Sequence, residues 1–375
     1  MVSGCGEERV MRRTMVMSEY SIGASSINGD GSVTFRLAAP EAQRVSVSGD
    51  FISAADGTAF GGGEMVRNGD GVWEYTTLPL ASELYTYSFN VDGVRICDPT
   101  NGHISRNVST LSSELIIGGG RGDYYRVNDV PHGTVRSCWY HSDSYGCDRR
   151  MMVYTPPGYE SGGRYPVLYL LHGAGNDEGS WLELGRVEEI MDNMIARGEC
   201  RPMIVVMPNG NAYKQAADIS AAEGTALEWS DRKPLNPMLE VSFAEVVDYV
   251  DGTFRTVDGK RGRAIAGLSM GGGQTSIISY SLPDTFDYVG LFSAAVGAVT
   301  DEQNDAKIKA QRDNGLKLYW IACGTEDFLY DGNRQYMSYL DSIGFPYVYC
   351  ESDGGHIWRN WRIYLSEFAP MLFRK

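Results

Sequence analysis

Residues 264–273 read Ala264-Ile265-Ala266-Gly267-Leu268-Ser269-Met270-Gly271-Gly272-Gly273 and contain a G-x-S-x-G pattern. An apolar, strand-like run leads into the pattern, and a helix-like run continues from it to Ile278. Because chance alone would supply about half a match in a chain this rich in glycine, the surrounding strand and helix carry the argument. A serine on a strained strand-to-helix turn needs small residues two positions before and after it. We therefore predict that Ser269 is a nucleophile on such a turn.

Apolar runs alternate with helical stretches on both sides of this turn. Continuous apolar strands separated by helices indicate a mostly parallel sheet with helices on both faces. A hairpin is expected before them, from Thr134 to Tyr140 and Arg149 to Tyr154, and a closing helix from about Trp358. The pattern predicts an α/β-hydrolase domain over residues 134–375. Its strand-like runs are 167–171, 203–207, 264–266, 288–292, 317–322 and 347–349.

A serine hydroxyl needs a base to accept its proton and an acid to orient that base. In α/β-hydrolases these follow in the order serine, acid, histidine. His356 is the only histidine after Ser269, and it stands in a glycine-flanked loop behind a strand. For the acid, Glu326 and Asp327 both follow the strand-like run that ends near Ala322, and we favour Asp327 while leaving Glu326 open.

The negative oxygen that develops during ester cleavage needs two backbone N–H donors. One is expected from Met270, the residue after the nucleophile, and the other from the loop after an earlier strand, where Ala174 is the best candidate. His172 in that loop precedes Ser269, which is the wrong order for the catalytic base, so a structural hydrogen-bonding role is expected for it.

The first third of the chain has a different pattern. Short runs such as Ser32–Leu37, Arg44–Gly49 and Tyr85–Gly93 alternate with period two and are separated by Asn-Gly-Asp-Gly turns. This predicts an all-β, immunoglobulin-like sandwich over residues 21–120, followed by a glycine-rich linker over 121–133. Residues 1–20 are expected to be a disordered tail or the remnant of an export signal, and Val2 to Cys5 resembles the end of a lipoprotein signal.

Composition excludes several classes of partner. The 375 residues contain 33 Lys+Arg and 48 Asp+Glu, a net charge of −15, which disfavours nucleic acid and anionic membrane surfaces. No apolar run approaches the ~20 residues that span a bilayer. The seven cysteines lack a C-x2-C pair, so no metal site is expected. Cys138 and Cys147 flank the hairpin turn, and two free thiols are favoured over a disulfide.

Taken with these residues, the chain resembles bacterial feruloyl esterases and acetyl-xylan esterases, the esterase D-like α/β-hydrolases, in the form with an N-terminal carbohydrate-binding-like early-set sandwich. The resemblance runs from about residue 21 to the end. In that family the aspartate of a Gly-Thr-x-Asp element is the triad acid, which supports Asp327. The segments that carry the likeness are 149–159, 202–210, 267–273, 323–327 and 354–356, with 71–75 and 85–93 in the sandwich.

The resemblance implies a serine esterase that removes feruloyl (hydroxycinnamoyl) groups from plant cell-wall xylan or oligosaccharides, without a cofactor. Acetyl-xylan or enterochelin-type siderophore ester hydrolysis is the alternative, and a carbohydrate-binding protein with an inactive hydrolase domain is the non-enzymatic one. The expected location is secreted, periplasmic or lipoprotein-anchored, and the oligomeric state is open.

Candidate substrate contacts lie near the expected site. Trp181 and Trp358 would suit a phenolic acyl group, although core packing is an equal alternative for each, and Asp177 is a third candidate. In the sandwich, Trp73 is a candidate sugar-stacking residue, with a core position as the more common fate of such a tryptophan. Residues 212–237 depart most from the family pattern and are expected to shape the acyl pocket.

Overall fold

The computed structural model describes residues 24–51, 61–211, 216 and 239–374. The chain divides into two compact units between Arg126 and Val127. The predicted tail, 1–20, lies outside the described residues, as does the predicted acyl-pocket segment 212–237 except for Ala216.

The first unit is the expected β-sandwich. Its larger sheet has the order β4-β3-β7-β10-β9, with β8 paired to β7, and its smaller sheet has the order β1-β2-β6-β5. All the strand pairs are antiparallel. The strands are β1 (Ser26–Ile27), β2 (Val33–Ala38), β3 (Val45–Gly49), β4 (Gly61–Glu64), β5 (Val66–Arg67), β6 (Val72–Thr76), β7 (Leu84–Val91), β8 (Val94–Ile96), β9 (Ile104–Asn107) and β10 (Thr110–Ile116).

Aromatic side chains fill the space between these sheets. Phe35 of β2 packs on Tyr87 of β7 with 4.7 Å between ring centroids, and Phe89 extends the contact along β7. The period-two pattern of the sequence places these residues on the inner faces, as expected for strands with one buried side.

Trp73 belongs to the same core. Its side chain is only 8% exposed, and its indole N–H donates to the Ala39 carbonyl at 2.9 Å. The suggested sugar-stacking role is therefore corrected, because the indole face is covered by the sandwich's own apolar residues. Within the described sandwich residues, every Phe, Tyr and Trp is buried or half-buried.

The second unit confirms the α/β-hydrolase fold. One sheet has the order β11-β12-β14-β13-β15-β16-β17-β18. The first three strands of that order pair antiparallel, and the remaining pairs are parallel. The strands are β11 (Thr134–Ser142), β12 (Cys147–Thr155), β13 (Val167–Leu171), β14 (Ile204–Pro208), β15 (Arg263–Leu268), β16 (Tyr288–Phe292), β17 (Leu318–Gly324) and β18 (Val348–Ser352).

Helices connect these parallel strands. The helix that begins at Glu302 has a side-chain cap, because the Asp301 carboxylate accepts from the Asn304 N–H, and Gly315 ends this helix at φ 76°. None of the described helices is long and apolar enough to cross a bilayer. The helices are α1 (Ser180–Glu183), α2 (Val187–Ala196), α3 (Leu239–Thr253), α4 (Met270–Ser281), α5 (Glu302–Asn314), α6 (Tyr330–Ser342) and α7 (Trp358–Phe368).

The hydrolase core lies on both faces of the sheet, and the central strands β13 to β16 are buried along almost their entire lengths.

The described cysteines form no disulfide bonds. The six described cysteines are free, including Cys138 and Cys147, because Cys147 pairs in register with Ser142 and Cys138 with Met151.

The two pattern glycines allow β15 and α4 to meet at close range. A Cβ on Gly271 would lie 2.5 Å from the His172 carbonyl oxygen and 2.8 Å from the Leu171 carbonyl carbon, both backbone atoms at the end of β13. A Cβ on Gly267 would collide with the Gly271 carbonyl oxygen. Any side chain at either position must therefore push the helix away from the sheet.

Gly271→Ala is expected to lower the free energy of unfolding by about 1–3 kcal/mol through this overpacking. The matched control is Gly252→Ala in α3, where a Cβ meets no heavy atom within 4 Å and helix propensity should give about 0.5–1 kcal/mol of stabilisation. Urea denaturation of the two variants checks the expectation. Equal stabilities would show that the turn tolerates a methyl group.

Candidate functional site

Ser269 stands on the turn between β15 and α4 with φ 54° and ψ −118°. This positive φ is costly for a residue with a side chain and persists only where the surroundings hold it. Three backbone bonds do so: its N–H donates to Phe292 O at 3.0 Å, and its carbonyl accepts from Gly273 N at 3.1 Å and Ala295 N at 2.8 Å. The serine is half-buried at the carboxyl end of the strand.

Asp327 follows β17 and His356 follows β18, and the two side chains form a hydrogen-bonded pair. The His356 Nδ1 lies 2.9 Å from each carboxylate oxygen of Asp327, whose side chain is completely buried. Asp327 also accepts from the Leu329 N–H at 2.9 Å. Glu326 is exposed, so the structure places Asp327, and not Glu326, against the imidazole.

The loops that carry the acid and the histidine are joined by their own backbones. Thr325 N donates to Ser352 O at 2.9 Å, and Glu326 N donates to Gly354 O at 3.1 Å. Asn360, on the first turn of α7, donates its side-chain amide to two carbonyls of the histidine loop at 3.0 and 3.1 Å. Sequence reasoning missed Asn360, since nothing in its position suggests which loop it holds.

The two candidate oxyanion donors lie on neighbouring elements. Met270 is the first residue of α4, where backbone N–H groups have no partner within the helix. Ala174 is half-buried in the loop after β13, the strand beside β15. That loop comes close to the nucleophile, because a Cβ on Gly173 would lie 3.4 Å from the Ser269 Cβ.

His172 holds the same loop and is completely enclosed. Its Nδ1–H donates to Gly173 O at 2.8 Å, and its Nε2 accepts from Gly210 N at 2.8 Å. Because both ring nitrogens are engaged in this way, the imidazole is neutral, and burial lowers its pKa. These two hydrogen bonds agree with the structural role expected for His172.

The segment after β14, Asn209 to Asn211, holds this region together. Gly210 bonds to His172 on one side and accepts from Gln274 of α4 at 3.1 Å on the other. The Asn211 side chain donates to the Asn176 carbonyl at 2.6 Å. The candidate oxyanion loop and the nucleophile helix are therefore tied to one common segment.

A buried charge supports that segment. Glu178 is fully enclosed, and it accepts from the Asn209 side-chain amide at 2.8 Å and from the Arg150 Nε at 2.6 Å. The neighbouring Arg149, also buried, donates to the carbonyls of Asn209 and Asn211. A buried carboxylate is tolerable only with such partners, and the sequence alone did not reveal this network.

Trp181 and Trp358 lie below the surface. Trp181 is 1% exposed and donates its indole N–H to Leu171 O at 3.0 Å, and Trp358 is 7% exposed and meets it edge-to-face at 5.3 Å. Both pack as core residues, which corrects their assignment as substrate contacts. Asp177 is also buried, and its carboxylate accepts from the Gly179 N–H at 3.0 Å at the start of α1. Asp177 thus stabilises a turn and is not presented to a ligand in this structure.

Phe328 is the aromatic residue that is exposed at the histidine. Its ring centroid lies 4.4 Å from that of His356, while Trp361 approaches the imidazole from another side at 4.9 Å, edge-on. Sequence reasoning missed Phe328, although an apolar residue directly after the acid in a polar loop was a usable signal.

Comparison with known protein families agrees with this geometry. The esterase family described as "Putative esterase" matches residues 142–372. The chain belongs to this esterase family. Its first unit matches "Carbohydrate-binding module 48 (Isoamylase N-terminal domain)" over residues 21–105. The two matches fall on the hydrolase and sandwich units.

Among the chain's curated relatives, an endo-1,4-beta-xylanase/feruloyl esterase of Xylanibacter ruminicola is 32% identical over 93% of the chain and 46% of the relative. An esterase of Mycobacterium tuberculosis is 28% identical over 59% of the chain and 43% of the relative. The chain therefore spans about half the length of the curated relatives it matches.

Solved structures are similar as well. The ferulic acid esterase of Anaeromyces mucronatus in complex with ferulic acid is 25% identical, with a TM-score of 0.54 over 67% of this chain and 95% of that chain. The enterobactin esterase of Shigella flexneri is 18% identical, with a TM-score of 0.63 over 94% and 97%, a likeness of fold.

The buried His172 predicts a pH dependence of stability. Because its pKa is lowered in the folded state, the unfolded chain takes up the proton first as the pH falls below about 6.5. Stability that is present above that value is lost as the pH falls through the folded-state pKa. His172→Gln, which removes this titration, should show a smaller loss of unfolding free energy between about pH 7.5 and 5.5.

The measurement is urea denaturation at several pH values, with His103→Gln, an exposed histidine of the sandwich, as the control. The control should follow the wild type. A His172→Gln profile that is parallel to the wild-type profile would contradict the assignment.

Proposed function

We propose that the chain is a serine esterase that hydrolyses ester-linked feruloyl groups on plant cell-wall xylan or its oligosaccharides. The single observation that carries the chemistry is the His356–Asp327 pair at the carboxyl edge of the sheet that also presents the strained Ser269. The acyl group is proposed from the relatives, since the ferulic acid esterase and the xylanase/feruloyl esterase bear that activity in their names.

The reaction begins with attack by the Ser269 hydroxyl oxygen on the ester carbonyl carbon. The His356 Nε2 accepts the hydroxyl proton, and Asp327 stabilises the imidazolium through Nδ1. Asp327 is suited to this task because its buried carboxylate is fixed by the Leu329 N–H as well as by the imidazole.

The tetrahedral intermediate carries its negative charge on the former carbonyl oxygen. The N–H groups of Met270 and Ala174 bind that oxygen, and each such donor contributes about 10²–10³ in rate. The intermediate collapses when His356 gives its proton to the departing alcohol oxygen. Water then attacks the acyl-enzyme by the same route, with His356 again as the base, and the free acid leaves.

Ser269→Ala should lower kcat on an aryl ester by at least about a thousandfold while the circular dichroism spectrum is unchanged. Asp327→Asn should lower kcat by about 10⁴-fold, since the imidazole loses its orienting anion. The matched control is the adjacent exposed acid, in the variant Glu326→Gln, which should stay within about twofold of the wild type. Comparable losses at both acids would contradict the assignment of Asp327.

The acyl group is tested by comparing kcat/KM on methyl ferulate, acetylated xylan and a catecholate siderophore ester. The proposal expects the feruloyl ester to be the best of the three by at least about tenfold. Preference for acetylated xylan or for the catecholate ester would leave the triad in place and replace the substrate.

We also propose that the chain acts outside the cytoplasm, because polymeric xylan cannot cross a membrane to reach it. Fractionation of the native cells locates the protein, and the mass of its N-terminal peptide shows whether Cys5 carries a lipid. Recovery in the cytoplasm would overturn this part of the proposal.

A further inference from the structure

We propose that Phe328 is a specificity-determining residue that supports the sugar of the departing alcohol while His356 delivers its proton. The inference rests on the proposed esterase function and extends it from the acyl group to the other half of the ester. It commits to a carbohydrate leaving group in contact with the flat face of one aromatic ring.

The Phe328 side chain is unusually exposed to solvent. Phe328 is 76% exposed, the highest exposed fraction of any described phenylalanine or tryptophan. Leaving a phenylalanine in water forgoes most of the stabilisation that its burial would give. A single exposed apolar residue is common, so its location has to decide whether it is functional.

Phe328 also lies beside the proposed catalytic base. Phe328 directly follows the triad acid Asp327, in a turn closed by the Leu329 N–H on the Asp327 carboxylate and by Tyr330 N on the Asp327 carbonyl. Its ring contacts the His356 imidazole, with 4.4 Å between centroids and 48° between planes. The same turn that holds the acid therefore holds an exposed aromatic ring beside the base.

The proposed reaction brings the alcohol half of the ester to the same imidazole. When the intermediate collapses, the bond between the carbonyl carbon and the alcohol oxygen breaks, and the Nε2 proton of His356 moves to that oxygen. The alcohol oxygen must then lie within hydrogen-bond reach of His356. The group attached to that oxygen then lies beside the same imidazole that the Phe328 ring contacts.

The chemistry of the ring selects what that group is. The face of an aromatic ring carries negative charge density, and its edge carries positive charge density. One side of a furanose or pyranose presents C–H groups to such a face, while its hydroxyl groups point to water. A methyl or other small alcohol would cover little of the ring.

The test uses pairs of esters that share an acyl group. Methyl ferulate is compared with a feruloylated arabinoxylan oligosaccharide, and methyl acetate with an acetylated xylo-oligosaccharide. For each pair, the readout is the ratio of kcat/KM on the sugar ester to kcat/KM on the simple ester. Phe328→Ala should lower this ratio by about tenfold or more.

Two further variants separate the platform from a structural role. Phe328→Tyr keeps the ring and should restore the ratio to within about twofold of the wild type. The control is Val348→Ala, a 47% exposed apolar residue at the start of β18, the strand end opposite to the histidine loop, and it should leave the ratio unchanged.

An equal loss on both members of each pair would overturn the proposal, since it would mean that Phe328 only shields or positions His356. An unchanged ratio in Phe328→Ala would also overturn it. Failure of the feruloyl assignment gives a different result: the wild type would prefer the acetyl pair, and the ratio would still report on Phe328 within that pair.

Discussion

The backbone at Ser269 is the constraint on which the rest of the hydrolase unit depends. Its positive φ turns the chain sharply from β15 into α4 and presents the hydroxyl at the edge of the sheet. The strain is held by bonds to Phe292, Gly273 and Ala295, and it is possible only because α4 begins in contact with the end of β13. A methyl group at Gly271 would separate them. The positions of the candidate nucleophile and the first candidate oxyanion donor, and the packing of α4 against the central strands, thus all depend on one tight turn.

Around that turn, polar contacts between loops hold the candidate catalytic residues in place. The acid and histidine loops share backbone hydrogen bonds and are further held by Asn360. The segment from Asn209 to Asn211 joins the loop after β13 to α4 through His172 and Gln274. Hydrogen bonds are directional and short-ranged, so they hold catalytic groups to within tenths of an ångström, which hydrophobic contact alone does not.

Aromatic residues near the site divide into two groups by burial. Trp181 and Trp358 pack edge-to-face beneath the loops and support them, and in the separate sandwich unit Trp73 is likewise a core residue. Phe328 is of the opposite kind, because it faces water beside the base. Exposure to solvent, and not residue type, therefore distinguishes a supporting ring from one that can contact a substrate.

The sequence was sufficient to predict the α/β-hydrolase fold, the sandwich before it, and Ser269 and His356 as candidate nucleophile and base, with Asp327 favoured over Glu326 as the acid. These follow from local patterns: strand periodicity, glycines around a turn, and the order of three residues along the chain. The folded structure was needed to place Asp327, and not Glu326, against the imidazole, to show that three tryptophans are buried, and to reveal Phe328, Asn360 and the buried Glu178. Adjacent acids have the same local pattern, and burial depends on what distant segments bring into contact. Short stretches of the chain do not record that packing, and the one local signal was the apolar Phe328 directly after the candidate acid.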